Sequence, residues 1–282
     1  MNDELPQPTE FVPNMEGTLY SLPEDIYRQA PGVNISSLKA MRRSPAHYLA
    51  KVMAPRSEPT PALVFGTLLH RACLEPQNLA GSFAVKPEDI DFRTKAGKEW
   101  RDAQTVPIID AQQAVALEQA SAKVLAHPHA SAILARADKE VSVFKKRSLT
   151  SDLLLKGRMD AVAVDEQGLT TIADIKTCED ASSDAFARSI ATYGYAEQAA
   201  FYMDLLKDDR NDKKASYFVF IAVEKYAPYE VAIYCLDEDS IELGRERNNR
   251  HLDTLELCLR LNEFVGYSPE IETISLPRWA KA

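Results

Sequence analysis

The apolar positions of this chain change period along its length. From residue 36 to 56 the pattern is helical, opened by Ser36 or Ser37 and interrupted near Pro45. Thr60 and Pro61 are a cap and first-turn pair for a second helix through about Leu74, with Leu63 or Val64, Leu68 and Ala72 at helical spacing. A short polar helix is predicted over 94–104. A longer one is predicted over 110–126, where Ala114, Leu117, Ala120 and Val124 recur at three- and four-residue steps, and Pro128 opens another. The period then switches to alternating or continuous apolar runs at 140–146, 153–164 and 169–175. The last two are joined by Asp165-Glu166-Gln167-Gly168, a hairpin turn with its Gly placed for positive φ, so three adjacent antiparallel strands follow. Helical patterns return at 182–191 and 194–207, strands at 216–223 and 229–236, and a long helix at 237–264 precedes an extended tail. No internal repeat or heptad run interrupts this order, which is that of an α/β fold of mixed α+β type, with an antiparallel strand meander flanked by helices around one sheet.

At 282 residues and 45% hydrophobic composition, the chain is long enough for one large domain with a substantial core. Residues 1–32 contain five prolines and little periodicity and read as a flexible arm, leaving 33–282 as the folded domain. The acidic N-terminus lacks the basic and apolar regions of a signal peptide, and no apolar run is long enough to span a bilayer; a cytoplasmic protein without membrane contact is expected. Cys73, Cys178, Cys235 and Cys258 are too widely spaced for zinc, an iron–sulfur cluster or a redox dithiol. The net charge of −9 argues against general coating of nucleic acid, so contact with DNA must come from local patches. Two stand out: Lys39, Arg42, Arg43, Lys51 and Arg56 in a stretch without acids, and Lys145-Lys146-Arg147, with Arg158 nearby. Such runs are also what a solvated face produces.

The chemically informative segment is Gly157-Arg158-Met159-Asp160, followed fourteen residues after Asp160 by Asp174-Ile175-Lys176. Alternate side chains of a strand face the same way, so Asp174 and Lys176 share a face, and the hairpin can bring Asp160 beside them. Two carboxylates at one spot repel unless a cation sits between them, and hard oxygen ligands suit Mg²⁺, with Mn²⁺ as substitute. A D-x-K alone is equally the signature of a cross-strand ion pair. Here both acids lie within apolar runs, where uncompensated charge is costly. Gln198 and Tyr202, four apart, share a helix face downstream, and His70 ends the upstream string Gly66-Thr67-Leu68-Leu69-His70.

The order GTxxH, GxxD, DxK, QxxxY resembles the PD-(D/E)xK nuclease superfamily, specifically its RecB-like branch. The spacing of the set, the aspartate of D-x-K, SPAH at Ser44 to His47, and LPRWAK at the C-terminus are similar to the nuclease domain of RecE-type exonucleases (exodeoxyribonuclease VIII) of prophages, over about residues 33–282. The resemblance implies a restriction-endonuclease-like core. It makes His70, Asp160, Asp174 and the main-chain carbonyl of Ile175 metal ligands, Lys176 the catalytic lysine, and Gln198 and Tyr202 a buttress that approaches the DNA backbone. Glu140 falls where related nucleases often carry an extra acid, and a strand-edge salt bridge is the competing role. Asp replaces the commoner Glu before x-K, which is the RecE-type pattern.

The implied activity is 5′-to-3′ digestion of linear double-stranded DNA from its ends, leaving 3′ single strands for a RecT-type annealing protein in recombination, by a ring-shaped homo-oligomer, four subunits favoured. A structure-selective or single-strand endonuclease on the same fold, and a catalytically idle DNA-binding or assembly protein, are the alternatives. Ala96-Gly97-Lys98-Glu99 lacks the earlier glycine and the hydroxyl residue of a phosphate-binding loop, so no ATP-driven motor is expected.

Overall fold

A computed structural model describes residues 16–20, 22–55, 57–207, 215–277 and 280. Arg56, and Arg278, Trp279 and Lys281 of the terminal LPRWAK string, lie outside the described residues, as do residues 1–15. In chain order the elements are β1 (Gly17–Leu19), α1 (Glu24–Gln29), α2 (Ile35–Leu38) running into a 3₁₀ turn (Lys39–Arg42), α3 (Pro45–Met53) and α4 (Pro61–Leu74). Next come β2 (Ala84–Val85), α5 (Lys95–Asp102), β3 (Ile108–Ile109), α6 (Ala111–Ala126), α7 (Pro128–Arg136), β4 (Asp138–Lys146), β5 (Leu154–Val164) and β6 (Thr170–Cys178). The chain continues with α8 (Ser183–Tyr193), α9 (Tyr195–Leu206), β7 (Ala215–Glu224), β8 (Val231–Cys235) and α10 (Glu238–Leu261). No described helix is long and apolar enough to cross a membrane.

The helix starts follow from local chemistry. Ser44 accepts from the His47 N–H and Thr60 from that of Leu63, each with proline in the first turn behind it. Asp110 and Gln113 form a reciprocal capping box on α6. Between α8 and α9 the chain turns at Gly194, whose φ of +66° is in the left-handed region that glycine adopts without strain.

Six strands form one sheet in the order β1-β4-β5-β6-β7-β8. The meander β4-β5-β6 is antiparallel, as the alternating runs predict, whereas β7 pairs parallel to β6. A parallel partner requires a crossover, and α8 and α9 supply it. Helices cover both faces. Met159, Ile172, Phe218 and Phe220 pack with Leu38, Phe201, Leu205 and Leu255 on one side. Ala161, Ala173, Ile175 and Ile221 pack with Leu68, Leu69, Leu117 and Val124 on the other. Burial on both faces is why the central strands read as nearly continuous apolar runs.

Residues 17–29, which proline content assigns to an arm, form β1 and α1. β1 pairs with β4 through Gly17↔Phe144 to Leu19↔Ser142. The buried Lys156 donates to the carbonyls of Tyr27 (3.1 Å) and Ala30, and Arg158 to that of Leu22 (2.6 Å). The partners lie more than 120 residues away in the chain, beyond the reach of any local pattern. Carbonyls at the end of a helix attract cations, so Lys156 stabilises the C-terminus of α1.

α9 and α10 approach closely at Gly244, where an added Cβ would lie 2.4 Å from the Ala196 carbonyl oxygen and 2.9 Å from the Glu197 nitrogen. Alanine gains roughly 1 kcal/mol of helix propensity over glycine, but backbone cannot yield as a side chain can. Gly244→Ala should therefore be destabilising by about 1–3 kcal/mol, read as a lowered unfolding midpoint in circular dichroism. A variant as stable as the parent would mean that the two helices are not in backbone contact here.

Candidate active site

The site lies where the ladder joining β5 to its neighbours opens. β5 and β6 pair from Val164↔Thr170 to Ala161↔Ala173, and the next residues on the two strands are Asp160 and Asp174. On the other edge, the β4–β5 ladder skips from Lys139↔Ala161 to Val141↔Met159. The skipped residue, Glu140, has a φ of +55°, a strained value for a side chain of its size. The Ile175 N–H, freed from the ladder, donates to Asp160 Oδ2 at 2.8 Å.

Three cation-bearing or polar groups meet the two acids. His70, on the last turns of α4, donates from Nε2 to the Ile175 carbonyl oxygen at 2.7 Å, while its Nδ1 lies 3.2 Å from Asp160 Oδ2. Lys176 Nζ is 2.5 Å from Asp174 Oδ2, and Gln198 Nε2 donates to Asp174 Oδ1 at 2.7 Å. Gln198 is on α9, as is Tyr202 one turn later, whose ring packs against Phe218 and whose hydroxyl is bound to Gln198. α9 can come this near β5 because residue 157 is glycine: a Cβ there would lie 2.6 Å from Leu205 Cδ1 and 3.1 Å from the Tyr202 ring.

The electrostatics follow from burial and proximity. Burial disfavours a charged His70, but the Asp160 carboxylate and its hydrogen bond outweigh burial and raise the imidazole pKa to about 9. Asp160 is lowered in return: burial opposes its ionisation, and the His70 and Lys176 charges overcome it. Asp174 is raised, by burial first and by Asp160, with Lys176 acting against both. Burial also opposes charge on Lys176, yet the carboxylates of Asp174 and Asp160 hold the ammonium above its ordinary range. Perturbation of four neighbouring groups at once is the mark of a functional site.

The donor set fits a hard divalent cation. Asp174 Oδ2 is buried, accepts no hydrogen bond of regular geometry and faces only the Lys176 ammonium. Asp160 and the Ile175 carbonyl present further oxygens toward the same opening. Among the described residues no three His, Cys, Asp or Glu side chains form a ready-made metal cage. The opening leads into a cleft of about 970 Å³ lined by Thr67, His70, Arg71, Asp160, Lys176 and Tyr195, and on its far wall by Leu22, Pro23 and Glu24 of the N-terminal segment.

The basic and acidic residues singled out around this core are distributed otherwise than the sequence runs imply. Glu140 is ion-paired with Arg158 at the cleft's edge, so the salt-bridge role is the one observed. Arg158 in turn donates to Leu22 and holds the cleft wall in place. Arg42 points inward to the buried Glu197, which also meets Arg247 at 3.3 Å. Lys145 donates to the carbonyls of Asp204 and Lys207 at the end of α9, and Arg147 pairs with Asp253 and with Glu256 of α10. Lys146 lies 3.9 Å from Glu16. These cations are spent on carboxylates and helix ends that a linear sequence does not place beside them. Lys145, Lys146 and Arg147 also sit at the end of β4 opposite Glu140, five to seven residues along the chain, or about 17–23 Å at the usual rise. Arg43 and Lys51 are exposed.

Two residues near the reacting groups escaped the motif reading. Tyr195 opens α9 immediately after Gly194, and its ring lies under the Lys176 ammonium at 5.1 Å and that of Lys39 at 5.6 Å. Burial, then the neighbouring Lys176 charge, lower the Lys39 pKa to about 8. Glu197, the residue before Gln198, is the buried anchor for Arg42. The signal for both was in the string YAEQ, since residues flanking a site-bearing helix start share its environment.

The family model described as a PDDEXK-like domain of unknown function (DUF3799) matches residues 34–277. The chain belongs to this family. The crystal structure of an exonuclease candidate from Eubacterium rectale is similar at a TM-score of 0.63, over 91% of this chain and 95% of that one, at 14% identity, which shows a shared fold. That of SSO0001 covers 65% of this chain and 84% of its own at 18% identity, with a TM-score of 0.28, too low to carry an argument. No curated protein matches the chain. The family, with the mixed sheet that bears its paired carboxylates, supports a nuclease.

The buried Glu197 gives a test of the scaffold behind the site. Arg42→Ala leaves that carboxylate with Arg247 alone and, because Arg42 is itself partly exposed, should cost about 1–2 kcal/mol. Adding Glu197→Gln, which removes the charge, should recover part of that loss. Chemical denaturation of both variants measures it, and a double variant no more stable than the single one would show that Glu197 is not the cause.

Proposed function

We propose that this protein is a divalent-metal-dependent deoxyribonuclease of RecE type, which digests linear double-stranded DNA from its ends in the 5′-to-3′ direction. The observation that carries the hydrolytic reading is the convergence of Asp160, Asp174 and Lys176 at the opened ladder, with one buried Asp174 oxygen lacking a hydrogen bond. Mg²⁺, or Mn²⁺ in its place, held by Asp160, Asp174, the Ile175 carbonyl and His70, would polarise the scissile phosphate and lower the pKa of the attacking water. The chain's own groups do the rest. Lys176 orients the water and offsets charge that develops on the phosphate as the P–O3′ bond breaks. Gln198 fixes the rotamer of Asp174, and His70 that of Asp160. Tyr202 backs Gln198 against the sheet.

The end-directed activity, the 5′-to-3′ polarity and a RecT-type annealing partner rest on the resemblance of the motif set to RecE-type exonucleases, and the name of the Eubacterium rectale neighbour agrees with exonuclease activity. A homo-oligomeric ring, four subunits favoured, is proposed on the same ground. Ile271, Ile274 and Leu276 project from the extended tail with almost no cover from their own chain, and exposed apolar side chains in a row are stabilised by burial against another subunit.

Four outcomes are expected. Asp174→Asn or Asp160→Asn should abolish Mg²⁺-dependent digestion with the fold intact; retention of more than about a tenth of the activity, or less than roughly 1.4 kcal/mol of lost transition-state stabilisation, removes that residue from the site. Lys176→Ala should lower turnover far more than DNA binding, and failed binding with normal turnover would make it a phosphate anchor only. A linear duplex labelled at either end, run beside a covalently closed circle with and without Mg²⁺, should lose the 5′ label first while the circle survives; cleavage of the circle would assign an endonuclease. Light scattering should find three or more subunits, and a stable monomer at working concentration would end the ring proposal alone.

A further inference from the structure

We infer that Lys39 is a second phosphate-binding group of this site, held beside Lys176 by the ring of Tyr195, and that it takes a phosphate of the cleaved strand next to the scissile one; the inference rests on the nuclease reading above. Both ammonium groups lie over the same ring, Lys176 at 5.1 Å and Lys39 at 5.6 Å from its centroid, so they are at most about 11 Å apart. Tyr195 and Lys176 line the cleft, and Lys39 lies against the same Tyr195 ring.

Unlike its neighbours Arg42, Arg158 and Lys176, Lys39 has no carboxylate partner. Among the described residues no acid lies within ion-pair distance of its Nζ, although it is half buried. The two nearby acids are already taken: Asp174 by Lys176 and Gln198, Glu197 by Arg42 and Arg247. The fold thus holds two like charges against one aromatic ring and compensates only one of them with an anion. Such an arrangement repels itself in the free protein and is relieved when a ligand brings negative charge to both. The placement is enforced by backbone, since the flanking Leu38 and Met41 are buried in the core and leave the 3₁₀ turn one orientation.

The chemistry of the group selects the ligand. An ammonium is a compact point charge that accepts phosphate oxygens from many directions, unlike the planar fork of arginine. That suits a sugar–phosphate backbone passing through the site in successive registers, and it carries no base preference. The ring contributes a face that stabilises both cations without competing for the phosphate as a carboxylate would.

The test uses the full chain and a short DNA duplex, with binding followed by fluorescence anisotropy in EDTA across a salt series and cleavage followed in Mg²⁺. Lys39→Ala should weaken binding about tenfold, equally for different sequences, and reduce the slope of log affinity against log salt by about 1. In Mg²⁺ the loss should appear chiefly in KM, and Lys39→Arg should restore the salt slope. A Lys39→Ala protein that melts like the parent and keeps the parent's affinity and slope, while the parent cleaves DNA, overturns this inference alone. So does a fall in kcat with KM and slope unchanged, which would make Lys39 a support for Lys176. A parent chain that neither binds nor cleaves DNA overturns the nuclease reading, and this inference with it.

Discussion

A carboxylate inside a sheet covered on both faces is tolerated only where cations and hydrogen-bond donors meet it, and the arrangement around Asp174 answers that demand. Its strand needs apolar neighbours to hold the sheet together, and Ile172, Ala173 and Ile175 supply them. The acid therefore stands in a low-dielectric setting where each of its contacts is strong and each missing contact is costly. Lys176 comes from the same strand face, Gln198 from α9, and one oxygen is left without a regular hydrogen bond. A group kept in that state is poised for a cation.

The same constraint explains why the sheet opens where it does. If Glu140 paired with Asp160, and β5 and β6 continued to pair past Ala161↔Ala173, backbone groups would fill the space beside Asp160. The positive φ at Glu140 and the loss of pairing after Ala173 remove them, and the Asp160 carboxylate takes up the freed Ile175 N–H. Strain on one strand and a side chain substituting for a ladder bond on the other leave Asp160 facing the cleft, with Asp174 buried behind it.

The basic residues divide according to what they neutralise. Arg42, Lys145, Arg147 and Lys156 are used by the fold, on buried acids and on carbonyls at helix ends. Lys176 and Lys39 share the ring of Tyr195. A protein with a net charge of −9 can thus offer a confined positive site without a broad basic face.

Most of the helices and the β4-β5-β6 meander were legible in the sequence, because caps, prolines and hydrophobic period act within a few residues. The convergence of Asp160, Asp174 and Lys176 was legible for a related reason, while His70 and Gln198 entered only through the motif resemblance. Each motif is short, and strand and helix periodicity tell which side chains share a face, so the convergence of Asp174 with Lys176 and of Asp160 across the hairpin could be reasoned from spacing. Tertiary structure alone decided the parallel pairing of β7 with β6, the ordering of residues 17–29 by Lys156 and Arg158, and the fate of the basic runs. These depend on partners many tens of residues away, whose identity is set by how layers stack. A run such as Lys145-Lys146-Arg147 has the same local appearance whether it faces solvent, a phosphate or the end of α9, because charge is felt through space and not along the chain.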